Sequence, residues 1–347
     1  MARNQSALVN WSQYAGLRCF AGLLQCFNPE ENLRTATAIA RLYQIAAAKR
    51  CRRAIRNIEL SFPDWSRDQV YDTAHRSIEH MFRMFMVDAI SMPRLITPHS
   101  WHQYIRFGQM EEALDVLASD QPAVLVTGHC GNWELLGYAL SMLGYPMHAL
   151  ARPLDNPILN EWLLNLRQEH GLTVVTKWGA TTVVQDQLRR GGKIGFIADQ
   201  NAGEGGLFVP FFGRLASCYK SMGILAMRYR ATIVVGHAHR LGDTRMKYEI
   251  GGNDIIRPHE WADQPDPLFY LTARMCRAIE NMIRVAPEQY IWIHRRWKSR
   301  PKHERDGKPI PERLVEKIRA LPWMTEPELD RIIELSNNPP GEAMRGW

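Results

Sequence analysis

Between residues 116 and 300 the chain switches repeatedly between short β-rich apolar runs and longer stretches with helical spacing, and that alternation leaves few folds open. The runs are "AVLVT" (123–127), "MHALAR" (147–152), "LTVVTK" (172–177), "KIGFIAD" (193–199), "TIVVGHAH" (232–239), "MKYEI" (246–250) and "QYIWIHR" (289–295). Helical patterns lie between several of them, at 133–143, 156–170, 180–190, 217–229 and 267–285. Strands that alternate with helices bury their apolar faces best as a sheet covered by helices. The expectation is an α/β core over 116–300, with a central, mostly parallel sheet flanked by helices.

Residues 1–115 predict a helical region instead, and 301–347 a charged, Pro-rich peripheral tail with one short helix near "PERLVEKIRAL". In the N-terminal region, "SRDQVYDTAHRSIEHMFRMFMVDAI" opens on Ser66 as an N-cap and runs to Met92-Pro93. "YAGLRCFAGLLQCF" (14–27) contains Arg18 and, at 14 residues, falls short of the roughly 20 apolar residues that a membrane span needs. It suits a helix that lies on a membrane or docks on a core. The cations Lys49, Arg50, Arg52, Arg53 and Arg56 follow it, as a solvated helix face or as a surface for anionic headgroups.

A net charge of +7 points to anionic partners. Nucleic acid is a weak choice among them, because the basic residues form no recognition module. Six cysteines without a CxxC pair argue against structural zinc and a disulfide framework, and suggest a reducing compartment. The N-terminus has no signal-peptide pattern. His237 and His239 share a strand face as possible metal ligands, but no third ligand has recognisable spacing. No P-loop or dinucleotide fingerprint is present. No cofactor or metal is expected.

The stretch "GHCGNWE" carries the chemistry. His129 should stand at the C-terminal exit of a buried strand, where open α/β sheets place their ligands. Glu134 falls in the first turn of the next helix, where the helix dipole favours a carboxylate. Gly128 and Gly131 would let the turn fold back so that Glu134 reaches the imidazole. A carboxylate on one ring nitrogen fixes the tautomer and makes the other nitrogen a better base. Read as structure alone, the same residues make a capped helix start beside an incidental histidine, and spacing does not separate the two readings. No G-x-S-x-G elbow exists, so a nucleophile would come from the substrate.

"GHCGNWE" resembles the His-x4-Asp/Glu block of the lysophospholipid-type acyltransferases, and more specifically the lipid A late acyltransferases (the lauroyl/myristoyl type). Further blocks follow in that family's order: "ALARPLDNPILNEWL", "IADQNAGEGGLFVPFFG" and "PEQYIWIHRRWKSRP", with "NIELSFPDWS" before them. The resemblance spans roughly residues 50–301. It implies an O-acyltransferase that moves a fatty acyl chain from acyl carrier protein, or coenzyme A, to a hydroxyl of a lipid A precursor or related glycolipid. His129 would be the general base and Glu134 its orienting partner. Arg152, Asp199, Gln200, Arg295, Arg296 and Lys298 would bind substrate, and Trp133, Phe208, Phe211 and Phe212 would line the acyl pocket.

Asp199 would hold Arg152, hydrogen-bond the acceptor or cap a turn. Arg152 and turn amides are the candidate oxyanion donors. The implied location is the cytoplasmic face of the bacterial inner membrane, peripheral or monotopic, against anionic lipid. Two departures stand out: Cys130 replaces the family's Phe and is expected to reshape the acyl pocket, and the N-terminal region lacks a clear apolar anchor. Two other readings remain at this stage, a thioesterase using the same dyad and a non-catalytic anionic-lipid-binding protein.

Overall fold

Ala123 and Leu125 are buried on one side of their strand and Val124 and Val126 on the other, so this segment must lie inside a sheet covered on both faces. In the computed structural model, which describes residues 6–151, 153–168, 171–176 and 180–339, it is the middle of seven strands. In chain order these are β1 (Ile105–Phe107), β2 (Ala123–Thr127), β3 (Met147–Ala151), β4 (Leu172–Thr176), β5 (Lys193–Ile197), and, after a separate hairpin of β6 (Leu207–Phe211) and β7 (Arg214–Cys218), β8 (Thr232–Arg240) and β9 (Tyr248–Ile256). The sheet order is β1-β9-β8-β2-β5-β3-β4, and every neighbouring pair is parallel except β8 and β9. The expected α/β class is therefore the observed one.

The N-terminal region is helical, with α1 (Ala7–Gln25), α2 (Pro29–Ala46), α3 (Ala48–Ser61), α4 (Arg67–Arg83), α5 (Ala89–Leu95) and α6 (Glu111–Ala118). Ser66 caps α4 through a reciprocal bond pair with Gln69, as its sequence suggested. The sheet is flanked by α7 (Trp133–Met142), α8 (Pro157–Gln168), α9 (Ala180–Arg189), α10 (Ser221–Tyr229), the short α11 (Pro258–Trp261) and α12 (Pro267–Val285). One face of β2 packs in a core with residues of α9, α10 and α12, such as Leu188, Met222 and Ile279. The other packs with α2, α6 and α7 through Leu33, Leu117 and Leu135. Each such aliphatic side chain contributes about 1.5–3 kcal/mol on burial.

Four segments differ from the sequence expectation. "QYIWIHR" is not a strand: its carbonyls at Trp292 and His294 accept from the Asn57 amide, and that at Ile293 accepts from Arg53, so α3 takes the acceptors that a ladder would need. β9 runs on through Gly251 and Gly252 to Ile256, longer than "MKYEI". "GLFVPFFG", absent from the runs expected as strands, is most of the β6–β7 hairpin, turning at Phe212 and Gly213 with φ of 53° and 65°. Paired positive φ values match the twist of a hairpin's strands. Finally, the segment after Pro301 folds as α13 (Lys302–Arg305), α14 (Glu312–Arg319) and α15 (Glu326–Asn337), with Ile318, Leu329 and Ile332 buried in the main core.

Candidate active site

β2 and β5 are neighbours in strict register, with Thr127 opposite Ile197. His129 and Asp199 each lie two residues beyond that last pair, so the register alone delivers them to the same sheet edge. Two glycines make the turn after β2 possible. A Cβ on Gly128 would lie 2.8 Å from Ile279 Cγ2 and 3.5 Å from the Asp199 carboxylate. Gly131 has φ +67°, and a Cβ there would meet the Ala238 carbonyl at 2.2 Å. The turn is then fastened on both sides: Gly131 N–H donates to Gln289 O (3.0 Å), Asn132 N–H to Ala238 O (2.7 Å), and Ile291 N–H to His129 O (3.1 Å). Asn132 caps α7 through Leu135 N–H and donates to Asp88, itself in a buried ion pair with Arg240.

Asp199 grips His129 twice. Its Oδ1 is 2.6 Å from Nδ1 and its Oδ2 accepts from the His129 backbone N–H at 2.9 Å. A carboxylate on Nδ1 keeps the proton there and leaves Nε2 with its lone pair free to act as a base. Gln200 Nε2 lies 3.2 Å from that nitrogen. Burial lowers the imidazole's pKa, but the Asp199 charge and hydrogen bond, with a smaller push from Glu134, raise it above 6.5 overall. Burial likewise opposes the Asp199 carboxylate, yet His129 brings it down to about 2. The His129 side chain is 17% exposed, so one edge of the ring stays open to a reactant.

Glu134 does stand in the first turn of α7, but its partner is Arg167 of α8. The two make a bidentate pair, with Arg167 Nε to Oε2 at 2.8 Å and Nη2 to Oε1 at 2.6 Å. The orienting carboxylate on the ring is thus Asp199, and Glu134 reaches the imidazole only through its charge. The reason is geometric: the glycines serve to bring the turn against α12 and β8, and Asp199 arrives at Nδ1 from the neighbouring strand.

The pair opens onto a cavity of about 540 Å³. It runs under α7 along one sheet face, from Thr127 and Ile197 at the strands' ends to Met147 and Leu172 at their starts. Four steps of about 3.3 Å make that roughly 13 Å. Its walls are almost wholly apolar, with the charged Glu134–Arg167 pair, His129 and Gln200 as the polar groups convergent on it. Trp133 lines it, with its ring edge-on to His129 at 4.8 Å and to Phe85 at 5.9 Å. Phe208, Phe211 and Phe212 do not. Phe211 and Phe212 are buried among Phe62, Trp292 and Trp297, and Phe208 packs against the same core from β6. Cys130 is absent from the cavity wall too: its buried Sγ lies 3.6 Å from His239 Nε2 and 3.7 Å from Ala286 O.

The remaining expected residues divide. Arg152 lies outside the described residues. Gln200 joins the pair directly, whereas Arg295 and Lys298 are exposed beside α3. Arg296 is buried, with Nη1 donating to Ser217 O at 2.6 Å and Nη2 to Cys218 Sγ at 2.8 Å, so it braces the β6–β7 hairpin from behind. Turn amides make poor oxyanion donors here, because those of His129, Gly131 and Asn132 are already spent on Asp199, Gln289 and Ala238. His237 and His239 stack at 4.0 Å on β8, and His237 bonds Asn253; among the described residues no group of three or more His, Cys, Asp or Glu could hold a metal ion. Sequence reasoning missed Arg167, which no spacing signal marked, and His80, whose ring nitrogen lies 3.1 Å from Gly131 O.

Known proteins resemble this chain over most of its length. The family model described as bacterial lipid A biosynthesis acyltransferase matches residues 2–299. The lipid A biosynthesis palmitoleoyltransferase of Escherichia coli (strain K12) is 27% identical over 256 residues, covering 72% of this chain and 78% of its own. The lauroyltransferase of the same organism is 27% identical over 256 residues, covering 71% and 78%. A lipid A biosynthesis acyltransferase of Haemophilus influenzae is 26% identical over 253 residues, covering 71% and 75%.

Proposed function

Because the chain belongs to the bacterial lipid A biosynthesis acyltransferase family, we propose that it moves a fatty acyl chain from an acyl thioester to a hydroxyl of a lipid A precursor or related glycolipid. The observation that carries this is an imidazole with a carboxylate-fixed tautomer at the mouth of a long apolar cavity. The acyl chain occupies the cavity, gaining about 0.8 kcal/mol per buried methylene. The acceptor hydroxyl replaces the Gln200 amide at Nε2 of His129. His129 takes the hydroxyl proton as the oxygen attacks the thioester carbonyl, and Asp199 stabilises the imidazolium. The tetrahedral oxyanion collapses, the C–S bond breaks, and the thiolate leaves with the proton from Nε2; the products are an ester and a thiol.

Positive and N–H groups must face the oxyanion. With the His129, Gly131 and Asn132 amides engaged, the Gln200 amide and the remaining N–H groups of Arg167 are the donors at the cavity mouth. Glu134 is then a positioning residue that aims Arg167 and adds its field to His129. The donor is acyl carrier protein or coenzyme A.

The site meets lipid on the cytoplasmic face of the inner membrane, where the protein is held peripherally. Support comes from α1, whose outer face exposes Leu8, Trp11 and Leu23, with Phe27 beyond it. Asn156, at the head of α8, ties the two helices together by donating to Asn10 O and Gln13 Oε1. Phe85, Leu150, Leu154 and Ile197, at the cavity mouth, are also exposed. No helix among the described residues is long and apolar enough to cross a membrane.

The test is an assay of purified protein with an acyl thioester and a glycolipid acceptor, comparing wild type with His129→Ala. Acceptor-dependent ester is expected from the wild type alone. Equal yields would remove the base, and fatty acid released without an ester product would make the protein a thioesterase.

A further inference from the structure

Beyond the reacting pair, the structure places a second set of groups that the acyl-transfer chemistry does not use. The segment from Ile291 to Lys298 is pinned at one end to the catalytic turn, through Ile291 N–H and His129 O at 3.1 Å. Its other part is pinned to α3, through Arg53 Nη1 to Ile293 O at 3.1 Å and Asn57 Nδ2 to the carbonyls of Trp292 and His294 at 2.8 and 3.0 Å. Between α3 and this segment a slot opens, lined by Arg53, Arg56 and Asn57 on one side and Arg295, Trp297 and Lys298 on the other. Arg296 also contributes to its wall.

Three features make this slot anion-binding rather than a solvated basic face. Cations dominate its walls, and Arg56 lies 3.6 Å from Glu59. Neither Arg295 nor Lys298 forms an ion pair among the described residues. Two N–H donors, Arg296 Nε and Trp297 Nε1, are buried without a hydrogen-bond partner among the described residues. The concentration of like charge is also felt by the groups present: burial first, then the charges of Arg295 and Arg50, lower the Arg53 pKa. A tetrahedral oxyanion with several acceptor oxygens suits such a concentration of cations.

We propose that the slot between α3 and residues 294–298 binds a phosphate ester, anchoring one substrate of the reaction at a fixed offset from His129. The phosphate can come from the acceptor's headgroup or from the phosphopantetheine arm of the donor. The slot rests on its own residues; that the phosphate belongs to a reacting substrate rests on the acyl-transfer reading. The link is mechanical, since the same segment holds His129 O at one end and presents Arg295 and Lys298 at the other.

The test uses the full chain and the double variant Arg295→Ala/Lys298→Ala, whose side chains are exposed. First, inorganic phosphate and glucose 1-phosphate are titrated and followed by phosphorus NMR line broadening. Saturable broadening that the variant loses supports the slot; no broadening, or equal broadening in both proteins, overturns it, and neither result depends on catalysis. Second, KM and kcat are measured with the acceptor bearing or lacking its phosphates, and with acyl-phosphopantetheine against acyl-pantetheine. Loss of two charge-assisted bonds should raise KM for the phosphate-bearing substrate at least about tenfold with kcat retained. The substrate whose phosphate matters is the one for which wild type and variant become alike once the phosphate is gone. An unchanged KM for every substrate overturns the anchoring role.

Discussion

Asp199 Oδ1 lies 2.6 Å from His129 Nδ1, although the two residues are 70 positions apart in the chain. The carboxylate also holds the backbone N–H of the same histidine, so ring and main chain are fixed by one side chain. Asp199→Asn keeps the shape but reverses what the ring nitrogen must do, and leaves a mixture of tautomers. The expected loss in kcat is about 10²–10⁴-fold, with a smaller change in KM. Steady-state kinetics of the purified variant check this; a loss under threefold would mean that Asp199 is not the orienting group.

The same pair sets a pH dependence. His129 must be neutral to accept a proton, and its pKa is raised above 6.5, so the acid limb of kcat/KM should lie above pH 6.5. In Asp199→Asn, burial is left as the main influence on the ring and lowers it, so the residual activity should have its acid limb at lower pH. Stability follows from the same shifts. The raised His129 pKa stabilises the fold fully below 6.5 and is lost as pH rises through the folded value; the depressed Asp199 pKa stabilises above 3.8 and is lost as pH falls toward 2. The stability gap between wild type and variant should therefore be widest between those two ordinary values, measured by urea denaturation across pH.

Much of this was legible in the sequence. The short apolar runs located β2, β3, β4, β5 and β8, because buried parallel strands need continuous apolar residues. His129 and Asp199 were both placed at strand ends. What local sequence does not encode is which strands are neighbours: β2 pairs with β5 and not with β3, and only that pairing assigns Asp199 to His129. Glu134, five residues away, looked the better partner because sequence distance favours it, whereas Arg167 claims it from a helix whose position depends on the whole sheet. The strand "QYIWIHR" failed for a similar reason, since its hydrogen-bond acceptors are taken by side chains of α3.

The Glu134–Arg167 pair yields two shifts of opposite sign. Glu134 raises the His129 pKa, so Glu134→Gln should move the acid limb of kcat/KM to lower pH. Arg167→Ala removes a cation and leaves the Glu134 charge unopposed, so its acid limb should move to higher pH. Arg167→Ala also loses a charged donor at the cavity mouth, worth about 1.5–3 kcal/mol, or roughly 10–10²-fold in kcat/KM. Profiles that move in the same direction would separate the pair from the base.

Cys130 carries a prediction about packing. Its side chain is fully buried against His239 and the Ala286 carbonyl, so a larger residue at 130 would press on both. Cys130→Phe should destabilise by about 1–3 kcal/mol through overpacking. Cys130→Phe/His239→Ala should recover part of that loss, a non-additivity that a denaturation cycle of the four proteins measures. Additive losses would place the clash at Ala286 instead, where the backbone cannot be trimmed.

Gly137 tests whether the cavity measures the acyl chain. It lies on α7 with its Cα facing the space under the helix, and a Cβ there would touch Leu172 Cδ1 and Cδ2 at 3.8 Å, an ordinary contact. Leu172 opens β4, at the end of the cavity away from His129. Gly137→Leu therefore adds bulk to the inner half of the channel without straining the backbone, and a helix interior gains about 1 kcal/mol on losing its glycine. The variant should fold at least as firmly as the wild type while shifting preference toward shorter acyl chains. A chain too long by one methylene would forgo about 0.8 kcal/mol of burial, close to a fourfold change in relative kcat/KM per carbon. Competition between a ladder of acyl thioesters, read by mass spectrometry of the product, checks it; an unchanged chain-length profile in a folded Gly137→Leu protein would place the acyl chain elsewhere.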